Sequence, residues 1–203
     1  MSLETALARI SLLEDGLQPA PVQQTAAPAA TAFSSALQQA GAPTATLSAV
    51  PAAAGAGTPA GQAILNAVRN EVGVAEQPPG SNDSPRIAQY RQATAGSGVG
   101  PWCAYFVSWA ARQAGVPLGD SGQGFGRVDD VYAWAQRTGK AIPAGSGTPQ
   151  PGDLIVWDEH IGVVESVGAD GSISTIEGNS SDRVSRRTYG SDGGGAIGYV
   201  RLG

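Results

Sequence analysis

Hydrophobic and polar positions divide the chain into three stretches of different character. Leu3, Leu7, Ile10, Leu13 and Leu17 recur at helical spacing and Gly16 supplies a stop signal, so residues 1–17 read as a short amphipathic helix. At that length it is not stable alone and needs something to pack on. Residues 18–58 are mostly Ala, Pro, Thr, Ser, Gln and Gly, and from Gly16 to Val68 there is no charged side chain. Such a stretch buries too little apolar area to offset its ordering entropy and reads as a disordered linker, interrupted only by a candidate transient turn of helix around Phe33 and Leu37. From residue 59 to 203 the periodic pattern of a folded domain takes over.

Within that domain the helical signals come first. Thr58-Pro59 is an N-cap followed by proline at the first helical position, with Ile64, Leu65, Val68 and Val72 as the apolar stripe and Gly73 as the stop. Ser84-Pro85 repeats the signal for a short helix carrying Ile87 and Tyr90. Cys103 opens a third apolar-periodic run that ends at Gly115 and Pro117, and Val128 to Arg137 is a fourth, with Val131 and Trp134 facing inward. After Pro151 the pattern shortens to strands: Leu154–Trp157, His160–Val167, Ser172–Glu177, Arg183–Thr188 and Ala196–Arg201. Asp170-Gly171 is a two-residue hairpin signal. Helices followed by antiparallel strands predict an α+β fold, with the helices packed on an antiparallel sheet.

Composition narrows the function. Two hundred and three residues, 41% hydrophobic, allow one domain with a real core. A net charge of −5 without any Lys/Arg cluster excludes a nucleic-acid partner, whose phosphates demand a basic face. No apolar run approaches the roughly 20 residues that span a membrane. Ile10-Ser11-Leu12-Leu13 is too short for a secretory signal and runs into Glu14 and Asp15. A single cysteine excludes an intrachain disulfide, and one Cys with one His leaves no transition-metal site, so no metal and no cofactor is expected. Asp129, Asp130 and Asp182 lack the alternating spacing of a calcium loop. The glycine-rich stretch Gly119–Gly126 lacks the ending of a phosphate loop and reads as a surface loop edging a cleft.

The one cysteine and the one histidine carry the candidate chemistry. Cys103 stands at a helix N-terminus, where unpaired backbone N–H groups and the helix dipole favour thiolate over thiol. His160 begins a strand, a rigid support from which imidazole can hold the thiol proton as general base. If Asp170 and Gly171 are the two turn residues, Val164 faces Glu177, Gly162 faces Asn179 and His160 faces Ser181. Alternation then puts His160 on the same face as Glu177 and Asn179, the two candidates for orienting it, with Gly162 leaving room for the imidazole. In that ideal register Asn179 is diagonal to His160 and Glu177 lies one step further away; a bulge would bring Glu177 within reach. The Cys103 N–H is expected to contribute to an oxyanion hole.

Pro101-Trp102-Cys103-Ala104-Tyr105-Phe106-Val107, then Pro151-Gly152-Asp153-Leu154-Ile155-Val156-Trp157 running into His160-Ile161-Gly162-Val163-Val164, and Ile176-Glu177-Gly178-Asn179 resemble the CHAP family of cysteine amidohydrolases and endopeptidases, within the wider NlpC/P60 group. Gly80 to Tyr90 is similar to the segment preceding the cysteine in phage-related and bacterial members, and the resemblance covers about residues 60–203. It implies a papain-like architecture. It also implies Glu177 as third and Asn179 as fourth member of the catalytic set, and makes Tyr90 a candidate second oxyanion donor and substrate contact. Trp102 is expected to line the cleft and contact substrate, where an aromatic face suits a sugar or peptide stem. The acidic calcium ligands that some members carry near the cysteine are missing here.

The function so implied is a peptidoglycan hydrolase that cuts an amide bond through a cysteine thioester, either an N-acetylmuramoyl-L-alanine amidase or a stem or cross-bridge endopeptidase. The competing readings are a catalytically silent wall-binding or adaptor domain and a thiol amidohydrolase of a non-wall amide. Peptidoglycan is the expected partner of a monomer, with residues 1–17 a candidate contact for export machinery or a structural partner. The expected location is outside the cytoplasm, reached by a route independent of a signal peptide or by lysis.

Overall fold

The computed structural model describes residues 55–203; the helix expected at 1–17 and nearly all of the expected linker lie outside the described residues. Four helices precede a six-stranded antiparallel sheet, giving an α+β fold. The helices are α1 (Pro59–Arg69), α2 (Pro85–Arg91), α3 (Cys103–Gln113) and α4 (Val128–Arg137). The strands are β1 (Ala141–Pro143), β2 (Leu154–Val156), β3 (Ile161–Val167), β4 (Ile173–Glu177), β5 (Ser185–Tyr189) and β6 (Gly198–Val200), in the spatial order β1-β6-β2-β3-β4-β5.

The cap signals act as read. Thr58 Oγ1 accepts from the Gly61 N–H at 2.9 Å and Ser84 Oγ from the Ile87 N–H at 3.2 Å, each satisfying one orphan donor of a helix start. The Thr58 hydroxyl also donates to the Leu202 carbonyl at 2.6 Å, which ties the start of α1 to the C-terminal end of the chain. Two elements differ from expectation. α1 ends at Arg69, so Val72 falls outside the helix and is exposed instead of extending the stripe. β1 was not expected: three residues ending in a proline are too short for an alternating pattern to show.

The α3 helix is the centre of the molecule, with every residue from Cys103 to Ala111 buried. It packs with Trp102, Tyr90, Ile64 and Leu65 against one face of the sheet, which contributes Leu154, Val156, Ile161, Val163, Ile176 and Val200. The opposite face carries a smaller cluster of Ile155, Val164, Ile173, Ala196 and Tyr199, with Ile142, Trp157 and Val167 packed on it. Both faces being covered explains why β2 and β6 are apolar at every position rather than alternating.

The β3–β4 hairpin corrects the predicted register. Gly168 and Ser172 close the loop, the Gly168 N–H donating to the Ser172 carbonyl at 2.8 Å, so three residues turn the chain where two were expected. Gly171 takes φ +83°, the left-handed position such a loop requires. A β-bulge then interrupts β3 between Val164 and Ser166: Val164 pairs with Thr175 but Ser166 pairs with Ser174, leaving Glu165 as the extra residue. Val164 and Val167, three positions apart, both serve the smaller cluster, which strict alternation would forbid. The loop moves the pairing by one residue and the bulge by one more. Two such steps restore side-chain parity while bringing β4 two residues closer to the start of β3.

Candidate active site

The site is built where α3, the start of β3 and the end of β4 meet. Cys103 is the first residue of α3 and is buried, with 4% of its surface exposed. His160 stands one residue before β3, and its Nε2 lies 2.9 Å from Glu177 Oε2. Cys103 is near enough to the imidazole to favour its charged form. With Nε2 taken by Glu177, Nδ1 is the ring nitrogen left for sulphur.

Glu177 is 1% exposed and its carboxylate is enclosed by donors. Thr175 Oγ1 donates to Oε1 at 2.5 Å and the Tyr189 hydroxyl donates to the same oxygen at 2.9 Å, while Oε2 faces His160. Burial works to raise the pKa of this carboxyl, but the hydrogen bonds from His160 and Thr175, the imidazole's charge and the Tyr189 hydroxyl outweigh it and hold it below the usual carboxylate range. Burial likewise opposes the charged form of His160. The nearby Cys103 and the hydrogen-bonded Glu177, with the charges of both, prevail and raise the imidazole to about 9. Tyr189 is pushed up to about 12 by burial and by the Glu177 charge, so it stays a donor across the neutral range. Trp157 covers the arrangement, its ring centroid 5.6 Å from that of His160 and 5.2 Å from that of Tyr189, and its indole N–H is held by the Gly193 carbonyl at 2.8 Å.

The corrected register brings Glu177 within reach of His160, and the turn that follows β4 takes Asn179 out of the ladder. Continuing the Val163–Ile176 pair by one step sets Glu177 opposite Gly162, diagonal to His160. A Cβ on Gly162 would meet Glu177 Cγ at 2.6 Å, so the space at that glycine is used by the carboxylate's stem and not by the imidazole as predicted. Asn179 lies beyond the strand, with φ +58°, as a turn residue without a hydrogen bond to His160. Gly178 lets the end of β4 press against α3, since a Cβ there would lie 2.7 Å from Phe106 Cβ.

Two expected substrate contacts are elsewhere. Trp102 and Tyr90 are both 0% exposed and stack at 5.9 Å behind Cys103, in the core rather than in the cleft. The Trp102 indole donates to buried Glu76 at 2.9 Å, and the Tyr90 hydroxyl donates to Glu71 at 2.5 Å. Glu71 is also gripped by Arg86. Aromatic side chains with a polar end go inside when a partner awaits that end, and buried Glu71 and Glu76 are those partners. Tyr90 is thus committed as a donor to Glu71 and is not available as an oxyanion donor. Sequence reasoning also missed Thr175, Tyr189 and Trp157 around Glu177, because their role depends on which strands become neighbours.

A cleft of about 490 Å³ opens over Cys103, bounded by Pro101, Tyr105, Gly126, Val128, Asp158 and Glu159. The glycine-rich loop therefore does reach its edge, through Gly126. The first turn of α3 carries no side-chain cap, and Cys103 and Ala104 both line the cleft, so helix-start N–H groups are available to a ligand beside the sulphur. Among the described residues no three His, Cys, Asp or Glu side chains group closely enough to hold a metal ion, and no helix is long and apolar enough to cross a membrane.

Residues 94–179 match the family model of the CHAP domain, so the resemblance carried by the motifs stands over that segment, which spans less than half of the chain. No curated protein matches the chain. A solved structure of the peptidoglycan hydrolase RipB from Mycobacterium tuberculosis aligns over 98% of this chain and 85% of that one, at 17% identity with a TM-score of 0.41.

Proposed function

We propose that this protein is a peptidoglycan hydrolase that cleaves an amide bond through a Cys103 thioester, with His160 as proton carrier and Glu177 as its orienting carboxylate. The observation that carries the reading is the pair of His160 and a buried Glu177 beside Cys103, which stands at a helix start and opens on a cleft. A silent adaptor has no use for a buried carboxylate enclosed by three donors behind the sole histidine. The match to the CHAP domain supports the same chemistry.

The steps follow from the positions. The thiolate sulphur of Cys103 attacks the amide carbon while imidazolium stands beside it, and the oxyanion that forms meets the N–H groups of the first turn of α3. Collapse of the tetrahedral intermediate breaks the C–N bond. His160 gives its proton to the departing nitrogen, leaving an acyl thioester on Cys103 and a free amine. Water then attacks the thioester carbon, His160 takes a proton from it, and the carboxylic acid is released as the sulphur leaves. Throughout, Glu177 keeps Nε2 protonated and stabilises the imidazolium, which an amide at the same place would not do.

Incubation with purified peptidoglycan and mass analysis of the fragments tests this directly. A new amine and a new carboxyl appear with the native protein and not with Cys103→Ser, whose folding is checked by circular dichroism. The fragment masses distinguish the muramoyl–L-alanine bond from stem or cross-bridge bonds. Unmodified peptidoglycan, or turnover by Cys103→Ser within tenfold of native, would overturn the proposal; cleavage of a small non-wall amide alone would favour the thiol amidohydrolase. Action on this substrate places the protein outside the cytoplasmic membrane.

A further inference from the structure

The bulged residue Glu165 is not a passive insertion. Its carboxylate accepts from Arg186 of β5 on both oxygens, at 2.7 Å from Nε and 3.1 Å from Nη2, and from Arg69 Nε at the end of α1 at 3.1 Å. Both arginines are partly exposed, while Glu165 is mostly covered, and Arg186 is the β-ladder partner of Ile176, next to Glu177. One side chain thus joins a helix, the bulge and the far neighbour of the strand that carries the orienting carboxylate.

An unbulged β3 would pair Glu165 with Thr175 and Val163 with Glu177, turning Glu177 away from His160. We propose that Glu165 is a positioning residue, held by Arg69 and Arg186, that fixes the β3 bulge and thereby keeps Glu177 in line with His160. This rests on the reading of Cys103, His160 and Glu177 as the working site, but its first test needs no substrate. His160 is the only histidine, so an untagged full-length chain gives a single imidazole titration by NMR. Its midpoint reports whether Glu177 is in place, the other charged or titratable groups around it being Cys103, Tyr189 and the adjacent Asp158 and Glu159.

In Glu165→Ala the midpoint is expected to fall by about one pH unit and kcat on peptidoglycan by about tenfold with KM unchanged. Deleting Glu165 is expected to recover most of that loss. Without the extra residue the Val164–Thr175 and Ser166–Ser174 pairs become consecutive, so a regular ladder still sets Glu177 opposite Gly162. If Glu165→Ala does not fold, Glu165→Gln is titrated instead, since it keeps the side chain's length but removes the charge and one of the two accepting oxygens; its midpoint falls if the proposal holds. A folded Glu165 variant with the native midpoint, or a deletion that loses more than the alanine variant, would overturn it. Failure of the functional reading shows differently, as an altered midpoint without any peptidoglycan activity to lose.

Discussion

Replacing Glu177 by Gln removes the charge behind His160 and leaves a side chain of the same length. The imidazole sits at about 9, against an ordinary value near 6.5. That difference corresponds to roughly 3 kcal/mol in favour of the imidazolium, supplied against burial first by Cys103 and then by Glu177. If Glu177 accounts for about half, the variant's His160 titrates about one to two pH units lower. The sign follows from which form works. Acylation needs imidazolium, so native kcat/KM falls only as pH rises through about 9, and the alkaline limb of Glu177→Gln moves to lower pH by the same amount. At pH 8 the imidazolium fraction then falls from about nine-tenths to between about a half and a tenth, so the variant is expected to turn over about 2–10-fold more slowly. Folding stability moves in parallel: the raised imidazole contributes in full below about 6.5 and loses that contribution as pH rises through 9, and the variant loses it earlier. The assay is kcat/KM on solubilised peptidoglycan from pH 5 to 10, with the rate of Cys103 alkylation by iodoacetamide as a substrate-free control. A Glu177→Gln profile that overlays the native one would refute the assignment of Glu177.

Other perturbations separate the parts of the site. Gly162→Ala puts a methyl 2.6 Å from Glu177 Cγ and should lower kcat by about tenfold or more while leaving the thermal midpoint within a few degrees, measured by turnover and calorimetry. Tyr189→Phe deletes one of two hydroxyls on Glu177 Oε1; turnover should fall by about 3–10-fold, and the His160 NMR midpoint should show whether the loss passes through the carboxylate. Asn179→Ala should keep activity within about threefold and lose about 1 kcal/mol of stability in urea titration, because Asn179 serves the backbone at φ +58° and does not hold the imidazole. Residues 55–203 alone should hydrolyse peptidoglycan like the full chain, since the Thr58–Leu202 bond closes the folded part on itself.

How much of this was legible in the sequence depends on the range of the interaction. Helix starts at Thr58 and Ser84 were readable because a cap is a contact between residues three apart. The strand segments were readable because β-branched and apolar runs between turn residues report burial, though each observed strand is shorter than its predicted run or shifted along it. Trp102 and Tyr90 were misplaced for the opposite reason. Proximity to Cys103 suggested a cleft wall for Trp102 and the family resemblance a substrate contact for Tyr90, yet only the buried Glu71 and Glu76, more than ten residues upstream, explain why these rings face inward.

The register shows what pattern reading lacks. Alternation placed His160 and Glu177 on one face, and they are on one face, but for a reason the two-residue turn did not supply. A three-residue loop alone would have put them on opposite faces, and a bulge at Glu165 cancels that error. Each irregularity is a one-residue event that alternation does not report: Gly171 accepting a left-handed backbone in the loop, and Glu165 drawn out of the ladder by arginines on α1 and β5, outside the hairpin. The same pair of events moves Glu177 two positions along, from beyond the reach of the imidazole to 2.9 Å from it. In this fold the distance between base and carboxylate is therefore set by a loop and a bulge rather than by the strands that carry them. Deleting Glu165 itself leaves Glu177 opposite Gly162, but insertions or deletions in the loop, residues 169–171, should alter catalysis in alternation, with one-residue changes more damaging than two-residue changes, because only the latter return Glu177 to the face of His160.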